Sequence, residues 1–158
     1  MRKFSVFLLA GFILLAGFLS PQASKAQTVV DLELLLLVDV SGSIDDDEYD
    51  LQKTGYELAF DNTALHNAIA ALDNGIAVAY AEWSGADQQS LLVDWMFLDP
   101  TSAAADSGAF ADAIAATDRA FTGANNLTAP GSAINWAVGE FSDEFDGHSV
   151  IDISGDGT

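Results

Sequence analysis

The chain has 158 residues, no cysteine, and 24 acidic residues against five basic ones, which gives a formal charge of −19 at pH 7. A surface this acidic repels phosphate backbones and anionic lipid, so the composition argues against nucleic acid and membrane surfaces as partners. Without cysteine, the fold must depend on packing or on bound metal rather than on disulfides.

The first residues have the pattern of an export signal. Arg2 and Lys3 precede an apolar core at residues 4–19, and a small-residue pattern at 24–26 follows it. The core has 16 residues, fewer than the ~20 that a membrane-spanning helix needs. We therefore expect a signal peptide at residues 1–26 and one domain at 27–158, without a membrane span, in the periplasm or outside the cell. Three basic residues would be lost with the signal, leaving a charge of −22.

Directly after an apolar run, three oxygen-bearing side chains stand on alternate residues. Residues 34–38 are all Leu or Val, which is typical of a strand buried on both faces, and Asp39, Ser41 and Ser43 follow it. Ligands of open α/β sheets bind at the carboxyl ends of strands. The loop is therefore predicted to form part of a binding site.

The next segment predicts two helices and two strands. Acidic residues 45–48 complement the dipole of a helix with Leu51 and Leu58 at helical spacing, although a second cation site is an alternative explanation of the acidic run. Residues 63–72 are predicted to form another helix. Residues 76–83 read as a buried strand, and a short polar turn makes 91–97 its antiparallel neighbour at the sheet edge.

Two more helices and a last strand complete the prediction. The strand covers residues 149–153, and each helix has an apolar face marked by four residues: Phe110, Ile114, Thr117 and Phe121, then Ile134, Val138, Phe141 and Phe145. Alternating strands and helices predict a doubly wound, mainly parallel α/β sheet with helices on both faces. If the last strand lies on the far side of the first, a switch point makes Asp39 and Asp156 face one crevice.

Three separated segments stand at residues 39–43, 128–134 and 154–157. Together they resemble the von Willebrand factor type A domain, which has a Rossmann-like fold. Its metal-ion-dependent adhesion site combines Asp-x-Ser-x-Ser, a Thr from a second loop, and an Asp followed by Gly from a third. The resemblance implies three hydroxyl ligands and one carboxylate pair in this chain: Ser41, Ser43 and Thr128, with Asp39 and Asp156.

Oxygen ligands of this kind suit Mg²⁺, with Mn²⁺ or Ca²⁺ as alternatives. The resemblance implies an adhesion-type module whose metal completes its coordination with an acidic side chain of a partner protein. No catalytic residue is predicted, because His66 falls in a helical apolar pattern and His148 precedes a strand. The alternatives are a hydrolase that activates water with the same ion, and a structural fragment without an active site.

A rival calcium-loop interpretation is weaker, because the Asp152-x-Ser154-x-Asp156-Gly157 pattern follows an apolar strand where an EF-hand requires a helix. A secreted bacterial subgroup known as domain of unknown function 1194 resembles the chain at residues 51–56, 80–85 and 150–157. The similarity runs from about residue 31 to residue 158, which is nearly the whole mature chain. No biochemical role follows from that name. Compared with the complete family domain, the chain looks truncated at its C-terminus, so we expect the strand at Val150 to be a bare sheet edge and the protein to be marginally stable or to aggregate.

Overall fold

A four-stranded mixed sheet forms the centre of the domain. The computed structural model describes residues 26–122, 127–141 and 143–155. Its strands are β1 (Thr28–Asp39), β2 (Ile76–Trp83), β3 (Gln89–Leu98) and β4 (Phe145–Ser154), in the order β3-β2-β1-β4. β1 is parallel to both of its neighbours, and β3 runs antiparallel to β2 at one edge. The predicted mainly parallel α/β sheet with an antiparallel edge hairpin is confirmed.

Helices cover both faces of this sheet, which explains the continuous apolar character of its central strands. Every residue of β2 is buried. Helices α1 (Asp46–Phe60), α2 (Thr63–Ala70) and α3 (Ala103–Ala115) cover one face, and α4 (Pro130–Ala137) covers the other. Among the helices in the described parts of the chain, none combines the length and the apolar character that crossing a bilayer requires.

α1 begins at the predicted acidic run but buries a different face from the predicted one. Asp45 accepts a hydrogen bond from the Glu48 amide at 2.9 Å, and Glu48 accepts one from the Asp45 amide at 3.0 Å, which forms a capping box. Leu51 and Leu58, however, are 74% and 64% exposed. The buried residues are instead Tyr49 and Phe60, so the sheet is contacted by the aromatic side of the helix.

α3 ends earlier than its apolar spacing predicts. The helix stops at Ala115, so Thr117 and Phe121 do not belong to it. The physical reason is Lys53 on α1, whose ammonium donates to the carbonyl oxygens of Ala115 at 2.9 Å and Thr117 at 2.6 Å. These carbonyls are satisfied by a side chain instead of by further helical amides. Phe121 packs against a separate cluster beside the first loop.

The predicted apolar face of α4 is also wrong. Ile134 and Val138 are 41% and 64% exposed, whereas Ala133 and Ala137 are fully buried against the sheet. Phe145 does not continue the helix but begins β4. Alanine has no bulk beyond Cβ, so a helix packs closely on the sheet through an alanine face, and the larger residues on the adjacent face remain at the surface.

Gly75, in the turn before β2, has a backbone conformation that side chains rarely adopt. Its φ is +68°, and a Cβ there would overlap the Leu98 carbonyl oxygen and lie 2.8 Å from Pro100. We expect Gly75→Ala to lower the free energy of unfolding by about 1–3 kcal/mol from backbone strain alone. Gly55→Ala in α1 is the matched control, because nothing lies within 4 Å of its Cβ position and helix propensity favours alanine by roughly 0.5–1 kcal/mol. Urea unfolding measures both variants, and a Gly75→Ala protein as stable as wild type would contradict the prediction.

The strand order places a topological switch point at β1. The chain moves from β1 outward through β2 to β3 and then returns to β4 on the other side of β1. Val38 near the end of β1 pairs with Glu82 of β2 and with Ser154 of β4, so three parallel strands end together. The first and last strands therefore lie side by side, which is the condition under which Asp39 and Asp156 are expected to face one crevice.

Candidate metal centre

The first loop of the site leaves the carboxyl end of β1. Asp39 is the last residue of that strand and is fully buried, and its Oδ1 accepts a hydrogen bond from the Ser41 amide at 2.8 Å. The Ile44 amide donates to the Ser41 carbonyl oxygen at 3.1 Å. These two bonds fold residues 39–44 into a tight turn between β1 and α1.

Hydroxyl groups from two distant loops meet beside Asp39. The Ser41 hydroxyl oxygen lies 3.3 Å from that of Ser43 and accepts a hydrogen bond from the Thr128 hydroxyl at 3.0 Å. Ser41 and Thr128 are 87 residues apart in the sequence, so only the tertiary fold can bring them together. The structure therefore gathers four of the five predicted ligands in one cluster.

Ser84 fixes the loop that carries Thr128. Its hydroxyl donates to the Leu127 carbonyl oxygen at 3.1 Å, and its own carbonyl oxygen accepts from the Ala129 amide at 3.0 Å. The residues on either side of Thr128 are thereby tied to the end of β2. Sequence reasoning missed this role, because a serine after a strand is common and carries no distinguishing signal.

The third predicted loop begins at the end of β4, directly against Asp39. A Cβ placed on Gly155 would lie 2.9 Å from the Oδ2 atom of Asp39 and 3.5 Å from the Trp83 ring. A side chain at position 155 would therefore crowd the carboxylate, which explains the glycine at this close approach. Asp156, the fifth predicted ligand, lies outside the described residues, so its place in the site stays a prediction.

A cleft of about 200 Å³ opens where these loops meet. Asp39, Trp83 and Thr128 line it together with residues 153–155. The four clustered side chains offer one carboxylate and three hydroxyls, which are ligands that Mg²⁺, Mn²⁺ and Ca²⁺ take. Within residues 26–122, 127–141 and 143–155, no group of three or more His, Cys, Asp or Glu could hold a metal. The donor set fits a hard cation bound largely through hydroxyls, and metal binding itself stays a prediction.

A second buried carboxylate lies behind the first loop. Glu82 on β2 is fully buried and accepts hydrogen bonds from the hydroxyls of Tyr49 at 2.9 Å and Tyr80 at 3.3 Å, and from the Ala120 amide at 2.7 Å. Burial raises the pKa of Glu82, and the Ala120 amide, the two tyrosines and Arg119 act against this shift. Burial also raises the pKa of Tyr49 and Tyr80, which keeps both hydroxyls protonated as donors. The available sequence signal for Glu82 was that it is the single acidic residue in an otherwise apolar strand.

Neither histidine lies at the site. His66 is in α2, where its Nε2 is 2.6 Å from the Phe60 carbonyl oxygen, and it borders a separate cleft at the start of α3. His148 pairs with Leu32, six residues before the Val38 pair, which places it about 20 Å from the carboxyl end of the sheet at the usual strand rise. Neither histidine is therefore placed to act as a base at the predicted site.

These features define a class of protein: an α/β domain with an oxygen-rich cleft where three loops meet at the switch point of a mainly parallel sheet. The chain belongs to the family described as "Protein of unknown function (DUF1194)", whose model matches residues 29–158. The predicted membership of domain of unknown function 1194 is thereby confirmed. No curated protein matches the chain.

Two solved structures of the type V pili tip protein Mfa5 from Porphyromonas gingivalis are similar to the chain. The first contains three N-terminal domains of that protein; its sequence identity is 14%, its TM-score is 0.43, and the match covers 77% of this chain and 19% of the other. The second contains the vWF domain, with 14% identity, a TM-score of 0.42, and coverage of 76% and 36%. The chain thus spans well under half the length of either matched chain.

Proposed function

We propose that this protein is an exported, divalent-metal-dependent protein-binding module of the adhesion type. One observation carries the proposal: the Thr128 hydroxyl donates to the Ser41 hydroxyl at 3.0 Å across 87 residues of sequence, beside the buried Asp39. Five side chains would hold the cation, with Mg²⁺ as the first choice and Mn²⁺ or Ca²⁺ as alternatives: Asp39, Ser41, Ser43, Thr128 and Asp156.

The chemistry of the donors explains why such a site would bind a partner. Hydroxyl ligands are neutral, and the two carboxylates only balance the charge of a divalent ion. The occupied site would therefore have no excess negative charge to repel a further carboxylate. When bound, the ion would offer a coordination position that a carboxylate of a partner protein can take. The partner is therefore expected to contribute an Asp or Glu side chain at the cleft.

Export is part of the proposal and rests on residues 1–26, whose basic start, apolar core and small-residue end have the form of a cleaved signal. The mature domain would then work in the periplasm or outside the cell. Its formal charge of −22 also suits an environment rich in salt or divalent ions.

Substituting Thr128 tests the metal site without removing charge. We expect calorimetry to show Mg²⁺ and Mn²⁺ binding to the wild-type protein, and Thr128→Val to weaken it about tenfold, or ~1.4 kcal/mol, because valine keeps the shape but lacks the hydroxyl. Thr54→Val, at an exposed position of α1, is the matched control and should bind as wild type does. Absence of binding heat in the wild-type protein would contradict the proposal.

A second measurement addresses the partner. Synthetic peptides that present one glutamate should bind in the presence of Mn²⁺, and the same peptides with glutamine should not. Chelation by EDTA should abolish the binding. Turnover of a phosphoester by the protein, lost in Asp39→Asn, would instead favour the hydrolase alternative.

A further inference from the structure

Arg119 contacts the backbone of the first loop of the site. Its Nη2 donates to the carbonyl oxygens of Val40 at 3.2 Å, Ser41 at 3.3 Å and Ile44 at 2.7 Å. One guanidinium nitrogen thus binds three carbonyls of a single turn. The turn that carries Ser41 and Ser43 is consequently contacted by Thr128 at the Ser41 hydroxyl and by Arg119 at backbone carbonyls.

The position of Arg119 is itself fixed by several contacts around its side chain and backbone. Its side chain is 13% exposed, its guanidinium carbon lies 5.2 Å from the centre of the Tyr49 ring, and Nη1 pairs with Asp46 at 3.3 Å. The next amide, of Ala120, donates to the buried Glu82 at 2.7 Å. A side chain restrained on so many sides can restrain the loop that it contacts.

We propose that Arg119 is a positioning residue for the cation site, holding the turn at residues 40–44 so that the hydroxyls of Ser41 and Ser43 are presented together. The contacts of Arg119 with the turn support its positioning role. The effect of that role on cation binding rests on the proposed function. Arg119 lies nine residues before Thr128 in the sequence.

The inference can be tested by the direction in which the affinity for the cation changes when the positive charge of Arg119 is removed. A positive group beside a cation site repels the cation, so its removal should strengthen binding if only electrostatics mattered. If Arg119 acts by positioning the turn, its removal should weaken binding in spite of the lost repulsion. The two explanations therefore predict opposite changes in affinity.

Lys53 provides the matched control. It is the other basic residue after position 26, and it donates to Ala115 and Thr117 at the start of the segment that carries Arg119, rather than to the turn. Lys53→Met and Arg119→Met change the net charge equally. We expect Arg119→Met to bind Mn²⁺ at least about tenfold more weakly than Lys53→Met, and Arg119→Lys to recover part of the loss because an ammonium can donate to the same carbonyls. Equal or tighter binding by Arg119→Met would overturn the inference.

Hydrogen exchange in the metal-free protein separates this inference from the proposed function. The amides of Ser41 and Ile44 are hydrogen-bonded within the turn, and we expect both to exchange at least about tenfold faster in Arg119→Met than in Lys53→Met. Amides of the buried β2 should be unchanged. Unchanged exchange at Ser41 and Ile44 would overturn the inference, and if Arg119→Met does not fold, the same comparison is made with Arg119→Lys. Failure of the wild-type protein to bind Mn²⁺ would defeat the proposed function alone.

Discussion

Replacing Asp39 with asparagine is expected to reduce the affinity for Mg²⁺ or Mn²⁺ by at least about 100-fold, or ~2.8 kcal/mol. Asp39 is the one described carboxylate among the predicted ligands, and it is fully buried at the cleft. A charge in so dry an environment interacts strongly with a cation. Asparagine keeps an Oδ1 that can accept the Ser41 amide, so the turn should survive the substitution. Calorimetric titration measures the affinity.

The control for this prediction is Asp87→Asn, which removes the same charge from an exposed turn after β2. It should alter the affinity less than twofold, because an exposed charge is screened by water and salt. Circular dichroism and urea unfolding establish that both variants are folded. Asp39→Asn binding Mn²⁺ as tightly as Asp87→Asn does would show that Asp39 is not a ligand.

Replacing Glu82 with alanine is expected to lower the free energy of unfolding by roughly 3–5 kcal/mol, because buried donors left without acceptors are costly. The hydroxyls of Tyr49 and Tyr80 and the Ala120 amide all donate to Glu82. The substitution also removes a buried carboxyl group that interacts electrostatically with Arg119. Urea denaturation measures the loss. A loss below 1 kcal/mol, of the order expected for a surface substitution, would contradict this account of the cluster.

Glu82→Gln separates the charge of Glu82 from its hydrogen bonds, because an amide can accept from Ala120 and donate to the tyrosine oxygens. Burial raises the folded-state pKa of Glu82 above its ordinary value of 4.5, so the folded protein binds this proton more tightly than the unfolded chain does. The resulting stability is present below about pH 4.5 and is lost as the pH rises through the folded pKa. Wild type should therefore lose stability relative to Glu82→Gln as the pH rises above about 4.5. A difference that grows in favour of wild type would contradict the sign.

Strand positions could be predicted from the sequence because a strand buried on both faces is a continuous apolar run. β2 was predicted at residues 76–83, the bounds that the structure has. β1 and β4 extend well before their predicted starts, at Thr28 and Phe145. Their early residues alternate in burial or lie at the sheet edge, so they are not continuous apolar runs. Strand order could be stated only as a condition, because the handedness of crossovers limits the possible topologies without choosing the side of β1 on which β4 lies.

Helix faces were harder to predict because apolar spacing does not say which apolar residues are buried. In α4 the small residues Ala133 and Ala137 face the sheet, while the larger Ile134 and Val138 remain exposed. In α1 the leucines are exposed and aromatic residues are buried. These choices depend on the distance between the helix and the sheet, which is a tertiary property.

The residues that hold the site together could not be found from motifs. Asp39, Ser41, Ser43 and Thr128 belong to a recognisable pattern, and the structure gathers them. Arg119 acts through backbone carbonyls of a loop 75 or more residues away, and such contacts leave no spacing rule in the sequence. The available hint was that Arg119 is one of two basic residues after position 26 in a strongly acidic chain.

Trp83 gives the domain an optical reporter of its own. Its indole nitrogen donates to the Leu37 carbonyl oxygen at 3.2 Å, and its ring forms part of the cleft wall while being 2% exposed. The hydrogen bond and the burial hold the Trp83 ring in place. A change in its fluorescence is therefore expected to report a new charge nearby rather than movement of the ring. The unlabelled protein should thus signal occupancy of its cleft through a change in intrinsic emission, and the change should vanish in Trp83→Phe.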